Sequence, residues 1–559
     1  MSVSSHVSRI RLLVSNIKLL IMMRRLYMAA LAVAIGLPAA AQDTYESARL
    51  LGNDLNGTAR YVGMGGAMDA LGADLSTIGS NPAGIGLFRH STASFSFGVV
   101  SQQDAKRFDG LGKTNMSFDQ LGFVYSSRIS RTSFVNFSFN YHKSRNFDQI
   151  LSAANSMSNV SSMGLSYHKA TLGSSRKGGY DLGLNKQDEW VGFEDANSDR
   201  RALTFSQVDY LNANVLLEDP NDGNLYYTNA DAYEFDRATR GWISNYDFNI
   251  SGNANDRFYW GITLGLHDVN YKGYSEYAEG LAFSNGSDAG IVAYGDERKI
   301  DGTGIDLTAG IIVRPVEDSP FRFGLSVKTP TWYDLTTTNY TEVANESAVG
   351  SYDWGKSAES YDFKFYTPWK FGVSLGHTFG TQVALGLGYE YSDYGASQNR
   401  INDGYDYYGN ESSYTDEVMK ANTEQVLKGV STLKAGIELK PVPEFAVRLG
   451  YNYVTAAYDE NGVRDMTLDS PGVMYASTTD YTNWKDTHRI TCGLGYKVGG
   501  FNIDLAYQYS ATNGDFHPIQ YYETPVSMDA WHGGRSNGDG TVSVSNKRHQ
   551  LLLTLGYTF

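Results

Sequence analysis

From about residue 91 onward, apolar and polar positions alternate along the chain. In "SFVNFSFNY", Val135, Phe137, Phe139 and Tyr141 alternate with Asn136, Ser138 and Asn140. In "VALGLGYEYS", Val383, Leu385, Leu387, Tyr389 and Tyr391 share one face, and "FNIDLAYQYS" puts Phe501, Ile503, Leu505, Tyr507 and Tyr509 opposite Asn502, Asp504 and Gln508. Period two marks strands with unlike faces. Fourteen such stretches begin near residues 91, 115, 131, 242, 256, 301, 320, 360, 380, 426, 443, 485, 500 and 546. Most alternate over about nine to eleven residues, the length a tilted strand needs to cross the hydrocarbon.

The connections alternate too. Short ones fall at "SSRIS", "NAND", "VEDSP", "FGT", "KPVPE" and "VGG"; long polar ones fall at 102–114, 144–241, 273–300, 337–359, 395–425, 459–484 and 513–545. A soluble sandwich has no reason for strict short–long alternation, whereas a membrane barrel has periplasmic turns and external loops. The pattern therefore predicts an all-β fold, a 14-stranded antiparallel transmembrane β-barrel over 91–559, its largest loop at 144–241. An even strand count returns both termini to the periplasmic side of the outer membrane. Closure also pairs every backbone group, which an open sheet in lipid could not do. Arg322, Lys328, Glu390, Lys434, Glu438, Arg448, Lys497 and Asp504 lie on the polar faces. A Lys or Arg facing lipid at the midplane costs about 2–4 kcal/mol, so these charges are expected to face the lumen.

Composition agrees. The chain has 59 Gly, 40 Tyr and 26 Phe but 12 Pro and one Cys, and no segment after residue 41 offers the apolar run of a spanning helix. Residues 1–41 read as a signal peptide: Arg24-Arg25, then "LYMAALAVAIGLPAAA", with Ala39 and Ala41 supplying an A-x-A cleavage site. Met22 or Met23 is an alternative start. Five basic and no acidic residues lie in that segment, so the remainder carries a net charge of −20. This argues against nucleic acid as a partner, because phosphate binding needs a basic footprint. Lone Cys492 excludes an intramolecular disulfide and a cysteine-rich metal site.

Between signal and barrel lies "YVGMGGAMDALGADLSTIGSNPAGIG" (Tyr61 to Gly86). Ala67, Leu71, Leu75 and Ile78 recur at helical spacing, and the glycines before them permit tight turns. Asn81-Pro82 is expected to end that helix. A module of 42–90 with no core of its own fits as a hatch, or plug, inside the lumen. Here the sequence resembles the FadL/TodX-type outer-membrane transporters of long-chain fatty acids and aromatic hydrocarbons. "GMGGAMDALGADLSTIGSNPAGIGLF" looks like that family's N-terminal hatch, with its Asn-Pro-Ala signature at Asn81, Pro82 and Ala83.

The resemblance implies passive uptake of a hydrophobic small molecule: external capture, an apolar pocket, then rearrangement of a hatch at Gly63, Gly65, Gly66, Asn81, Pro82, Ala83 and Gly84. It also implies sideways release at a kink in the third strand, although "RTSFVNFSFNYHKS" holds no Gly or Pro. In 144–241, Ile150, Leu151, Met157, Val160, Met163 and Leu165 are spaced like a helix and are candidates for the capture site. The alternating "HQLLLTLGYTF" ends in Tyr557 and Phe559, which resembles the signal read by the barrel assembly machinery during biogenesis. Outer-membrane lipid and lipopolysaccharide are the expected surroundings, and the chain is expected to be monomeric.

Other chemistry finds little support. Ten histidines form no H-x-x-x-H pair, so no metal site is expected. "DPNDGNLYYTNADAYE" and "NGDGT" lack full calcium-loop spacing, and no G-x-S-x-G elbow marks a nucleophile. No catalytic residue and no cofactor are assigned. Two other readings stay open: a surface-interaction, adhesin-like barrel, and an outer-membrane enzyme acting on lipid.

Overall fold

The computed structural model describes residues 42–174, 181–184, 190–193, 205–219, 221, 225–405, 411–465, 468, 470–520 and 540–559. Residues 1–41, expected as a signal peptide, lie outside them. Fourteen strands form the wall: β1 Thr92–Gln102, β2 Thr114–Arg128, β3 Phe134–Asn146, β4 Asn229–Ala254, β5 Phe258–Ala282 and β6 Asp288–Val313. Next come β7 (Arg322–Lys328, resuming as Trp332–Ser347), β8 (Trp354–Tyr366, resuming as Lys370–Phe379) and β9 Val383–Asp393. The circuit ends with β10 Gly429–Val442, β11 Phe445–Val454, β12 Tyr481–Val498, β13 Phe501–His517 and β14 Val542–Thr558. Each pairs antiparallel with its chain neighbours. The ladder Thr92↔Thr558 to Gln102↔Arg548 joins β1 to β14 and closes the barrel.

Every strand presents a large apolar side chain outward, from Phe97 on β1 and Phe123 on β2 round to Leu505 on β13 and Leu551 on β14, each more than a third exposed. A continuous apolar belt of this extent is unstable in water and stable against lipid, so the barrel spans a membrane. No described helix is long and apolar enough to do so.

The strands run further than the alternation alone suggests. Stretches 273–300 and 337–359, expected as long loops, are mostly strand, turning at 283–287 and 348–353. There the sheet continues beyond the apolar belt. Its faces meet water or a packed cap, the buried cluster around Tyr233, Phe235 and Phe516, instead of lipid, and the simple apolar–polar alternation disappears while the backbone ladder persists. Strands β7 and β8 both break beside a proline, Pro330 and Pro368, where a missing N–H interrupts the ladder. The break is bridged by Thr367 N donating to Thr331 O at 3.2 Å.

Two helical expectations are corrected. Gln149–Val160 is a strand laid along Ala230–Thr239 of β4, and a helix starts only at Ser162. Ser and Asn are weak helix formers, and the open edge of β4 offers a ready ladder. The predicted helix over 67–78 is not formed: 64–71 is turn, and short helices stand at Ala59–Gly63, Leu75–Gly79 and Pro82–Leu87. Gly65, Gly66 and Gly72 stand at φ of 63°, 80° and 62°, which no helix accommodates. Asn81 therefore does not stop a helix; it caps the start of the last one, with Pro82 in its first turn.

Candidate functional site

Residues 42–90 touch opposite parts of the wall, so they cross the bore. Ala59 N donates to Thr554 Oγ1 on β14 at 2.7 Å. Asn136 on β3 donates to Ile85 O at 2.7 Å, Thr263 on β5 to Ile78 O at 2.8 Å, and Arg322 on β7 to Leu71 O at 2.7 Å. Thr491 on β12 donates to Gly63 O at 3.2 Å. Backbone groups of the segment thus find hydrogen-bond partners on the wall.

Close approach explains the glycines. Eight successive strands, β5 to β12, each set a glycine against the segment: Gly261, Gly310, Gly324, Gly376, Gly386, Gly436, Gly450 and Gly493. A Cβ on Gly310 would collide with Asn81 Oδ1, and one on Gly386 with Ala67 O. Sequence reasoning missed this wall. Its signal was glycine recurring at polar-face positions of the strands, as in "LGLGYE".

The expected hatch residues fall in two groups. Gly63 and Gly65 lie against β11 and β12, while Gly66 packs on Leu55 and Tyr61. Across the bore, Asn81 and Pro82 sit against Gly310 and Gly261; Ala83 is buried with Tyr259 and Ile312, and Gly84 rests on Thr77. Asn81 Oδ1 accepts from Ala83 N at 3.2 Å.

Ion pairs tie floor to wall. Arg60 Nε is 3.1 Å from Glu438 Oε2, Arg448 bridges Glu438 and Asp504, and Lys434 bridges Asp69 and Glu390. Of the polar-face charges, Lys434, Glu438 and Arg448 are buried as expected, whereas Lys497, at the turn end of β12, is exposed. At the other end of the segment, Thr44–Ala48 is clamped through Glu46, whose carboxylate lies 3.1 Å from Arg49 and 2.9 Å from Arg298. Burial pushes the Glu46 carboxyl up, but Arg298, Arg49 and Arg464 outweigh it and hold it down to about 2.

On the long-loop side of this floor lies a cavity of about 360 Å3. It is not the apolar pocket the resemblance implied. Arginines and lysines line it together with tyrosines such as Tyr45, Tyr394 and Tyr458. Nor do the expected capture residues line it. Leu151, Met157, Val160, Met163 and Leu165 are buried in one packed cluster with Tyr233, Phe235 and Phe516. Ile150 packs separately with Leu111 and Ala238. Tyr557 and Phe559 close β14, their rings edge to face at 4.9 Å, and Phe559 is exposed. Among the described residues no group of His, Cys, Asp and Glu is placed to hold a metal.

The third strand does carry an irregularity. Its ladder to β2 ends at Gln120↔His142, and its register on β4 shifts between Lys143 and Arg145. A second cavity of about 40 Å3, lined by Asp119, Lys143 and Asn146, lies beside that parting.

No protein-family model matches the chain, and no curated protein matches it. Among solved structures it is similar to the CymD monoaromatic hydrocarbon channel, with a TM-score of 0.47 and 11% identity over 91% of this chain and 99% of that one. It is also similar to a Pseudomonas aeruginosa FadL homologue, with a TM-score of 0.44 and 12% identity over 94% of this chain and 100% of that one. The Ralstonia pickettii toluene transporter TbuX gives a TM-score of 0.43 and 12% identity over 90% of this chain and 99% of that one.

Proposed function

We propose that this chain is an outer-membrane channel for passive uptake of small hydrophobic or amphipathic molecules, with residues 42–90 as its movable hatch. What supports this reading is a closed, lipid-facing barrel whose bore is crossed by its own N-terminal segment beneath a cavity. An unfilled bore would leak; a filled one passes solute only when its filling shifts. The many short hydrogen bonds and ion pairs between floor and wall are the contacts a shift would exchange. The β2–β3 parting is the proposed sideways exit, since an apolar ligand gains about 0.8 kcal/mol for each CH2 kept out of water.

The test has two parts. Purified barrel in exchangeable detergent is analysed for bound organic molecules by mass spectrometry. Radiolabelled palmitate uptake is then compared in cells carrying the native chain, Asn81→Ala, a deletion of 42–90, or no copy. Uptake that follows the hatch supports the reading, and equal uptake in all four strains removes it for that substrate.

A further inference from the structure

We infer that the cavity above the floor is a binding site for small organic anions carrying two or more negative charges. This inference deepens the channel reading and rests on it. Nine lysines and arginines line the cavity against three carboxylates, Asp54, Glu390 and Asp480, in a chain whose net charge is −15.

Five of the nine cations are already matched. Arg49 lies 3.1 Å from Glu46, Arg237 2.6 Å from Asp480, Lys328 2.8 Å from Asp306, Lys434 2.5 Å from Glu390 and Lys485 2.8 Å from Asp515. Lys370 shares Glu390 with Lys434, and the remaining three, Arg145, Arg489 and Arg548, are brought together from β3, β12 and β14. Arg145 Nη1 donates to Leu51 O at 2.7 Å, and its Nε is buried with no hydrogen-bond acceptor among the described residues. Arg548 Nη2 donates to Asp148 O at 2.9 Å. Arg489 Nη1 donates to Asn452 Oδ1 at 2.8 Å, and its carboxylate neighbour, Asp54, stands 3.9 Å from Nη2.

Asp54 faces all three guanidiniums, and among the described residues only the Asp148 carboxylate, on the Arg548 side, adds to it. Burial pushes the Asp54 carboxyl up, but Arg548, Arg145 and Arg489 outweigh it and leave it below the ordinary range. A purely structural charge network looks different here. In the floor, Arg60, Glu438, Arg448 and Asp504 alternate in sign, and each cation meets a carboxylate at 3.1 Å or less. Like charges converging in a low-dielectric lumen repel unless a counter-charge joins them. Guanidinium forks match the paired oxygens of carboxylate and phosphate. Tyr394 and Tyr458, lining the same cavity, give a carbon skeleton something to lie against. A volume near 360 Å3 falls within the roughly 300–1,000 Å3 of small-molecule sites.

The full chain in uncharged detergent is titrated calorimetrically with citrate, pyrophosphate, dodecyl phosphate and neutral triethyl citrate. Binding of citrate or pyrophosphate identifies a free solute, and binding of dodecyl phosphate alone identifies an amphiphile's head group; both support the site. Affinity should fall at least tenfold in Arg489→Gln and Arg548→Gln, weaken with added salt, and stay unchanged in Lys497→Gln. Arg548→Lys, which keeps the charge in case the glutamine variants misfold, should bind more weakly than the parent and more tightly than Arg548→Gln. No binding by any of the three anions, equal binding of triethyl citrate, or affinity indifferent to both arginines overturns the inference. Anion binding without any uptake would remove the channel reading and leave the site. Uptake with charge-independent binding would remove this inference alone.

Discussion

Arg60 and Glu438 meet across the boundary between the lumen segment and the wall, Nε to Oε2 at 3.1 Å. Glu438 also accepts from Arg448 Nε at 2.7 Å, and Arg448 continues to Asp504 at 2.6 Å. The Glu438 side chain is 4% exposed and that of Arg60 26%, so the two ends of the pair are unequal. Removing the carboxylate takes a partner from two guanidiniums at once and leaves buried Arg448 with Asp504 alone, whereas removing Arg60 leaves Glu438 still paired with Arg448. Glu438→Ala should therefore destabilise the barrel by about 3–5 kcal/mol, the usual cost of breaking a buried pair, and Arg60→Ala by clearly less. Urea unfolding in micelles measures both. Bilayer conductance should rise in Arg60→Ala, where the floor loses its anchor and the wall keeps its own.

The glycine-lined wall makes a steric prediction. Gly310 and Gly386 have no room for a Cβ, because Asn81 Oδ1 and Ala67 O occupy the space. Gly310→Ala and Gly386→Ala should each cost about 1–3 kcal/mol, the range for overpacking a close-packed site. Protease cleavage within 59–87 should become faster as the floor lifts. Gly112, with no heavy atom near the position of a Cβ, is the control, and Gly112→Ala should behave as the parent.

The barrel was legible because lipid imposes a strict period: Phe137, Leu387 and Leu505 each face outward on the strand where alternation placed them. Beyond the belt that constraint ends. Hence Tyr277 and Leu281 on β5 and Val292 on β6, all buried in the cap cluster, read as loop. The helix expected at Ile150 to Leu165 failed for a related reason. Leu151, Ala153 and Met157, an even number of residues apart, share one strand face, and the deciding factor, the free edge of β4, is not local. The arginine cluster escaped notice because Arg145 lies hundreds of residues before Arg489 and Arg548 and meets them only through barrel closure. The two halves of the lumen segment were visible as Gly-rich and Asn-Pro-Ala motifs, but not the wall glycines that receive them.

Asn81 carries a cap as well as a contact. Its side chain accepts from Ala83 N at 3.2 Å and starts the Pro82–Leu87 helix. Asn81→Ala loses that cap, worth about 0.5–2 kcal/mol, while Asn81→Ser keeps an acceptor without burying a charge at this 1% exposed position. Thermal melting of the folded band on gels should fall for the alanine variant and stay nearer the parent for serine. Equal loss in both would show that the amide's fit against Gly310, and not its acceptor, is what counts.

Glu46 sets a pH window for the other end of the segment. Its folded carboxyl lies at about 2 against an ordinary value of 4.5, since Arg298, Arg49 and Arg464 overcome the effect of burial. A depressed carboxyl pKa contributes stability that is fully present above the unfolded value and is lost as pH falls toward the folded one. Docking of Thr44–Ala48 should therefore hold at pH 6, weaken below about 4.5 and be largely gone near 2. Hydrogen exchange or protease accessibility across 42–50, followed from pH 6 to pH 2 in an acid-stable detergent, measures it. Glu46→Gln, which removes the charge at every pH, should begin loosened at pH 6 and change little on acidification. If that variant shows the parent's full acid transition, Glu46 is not the group that sets the window.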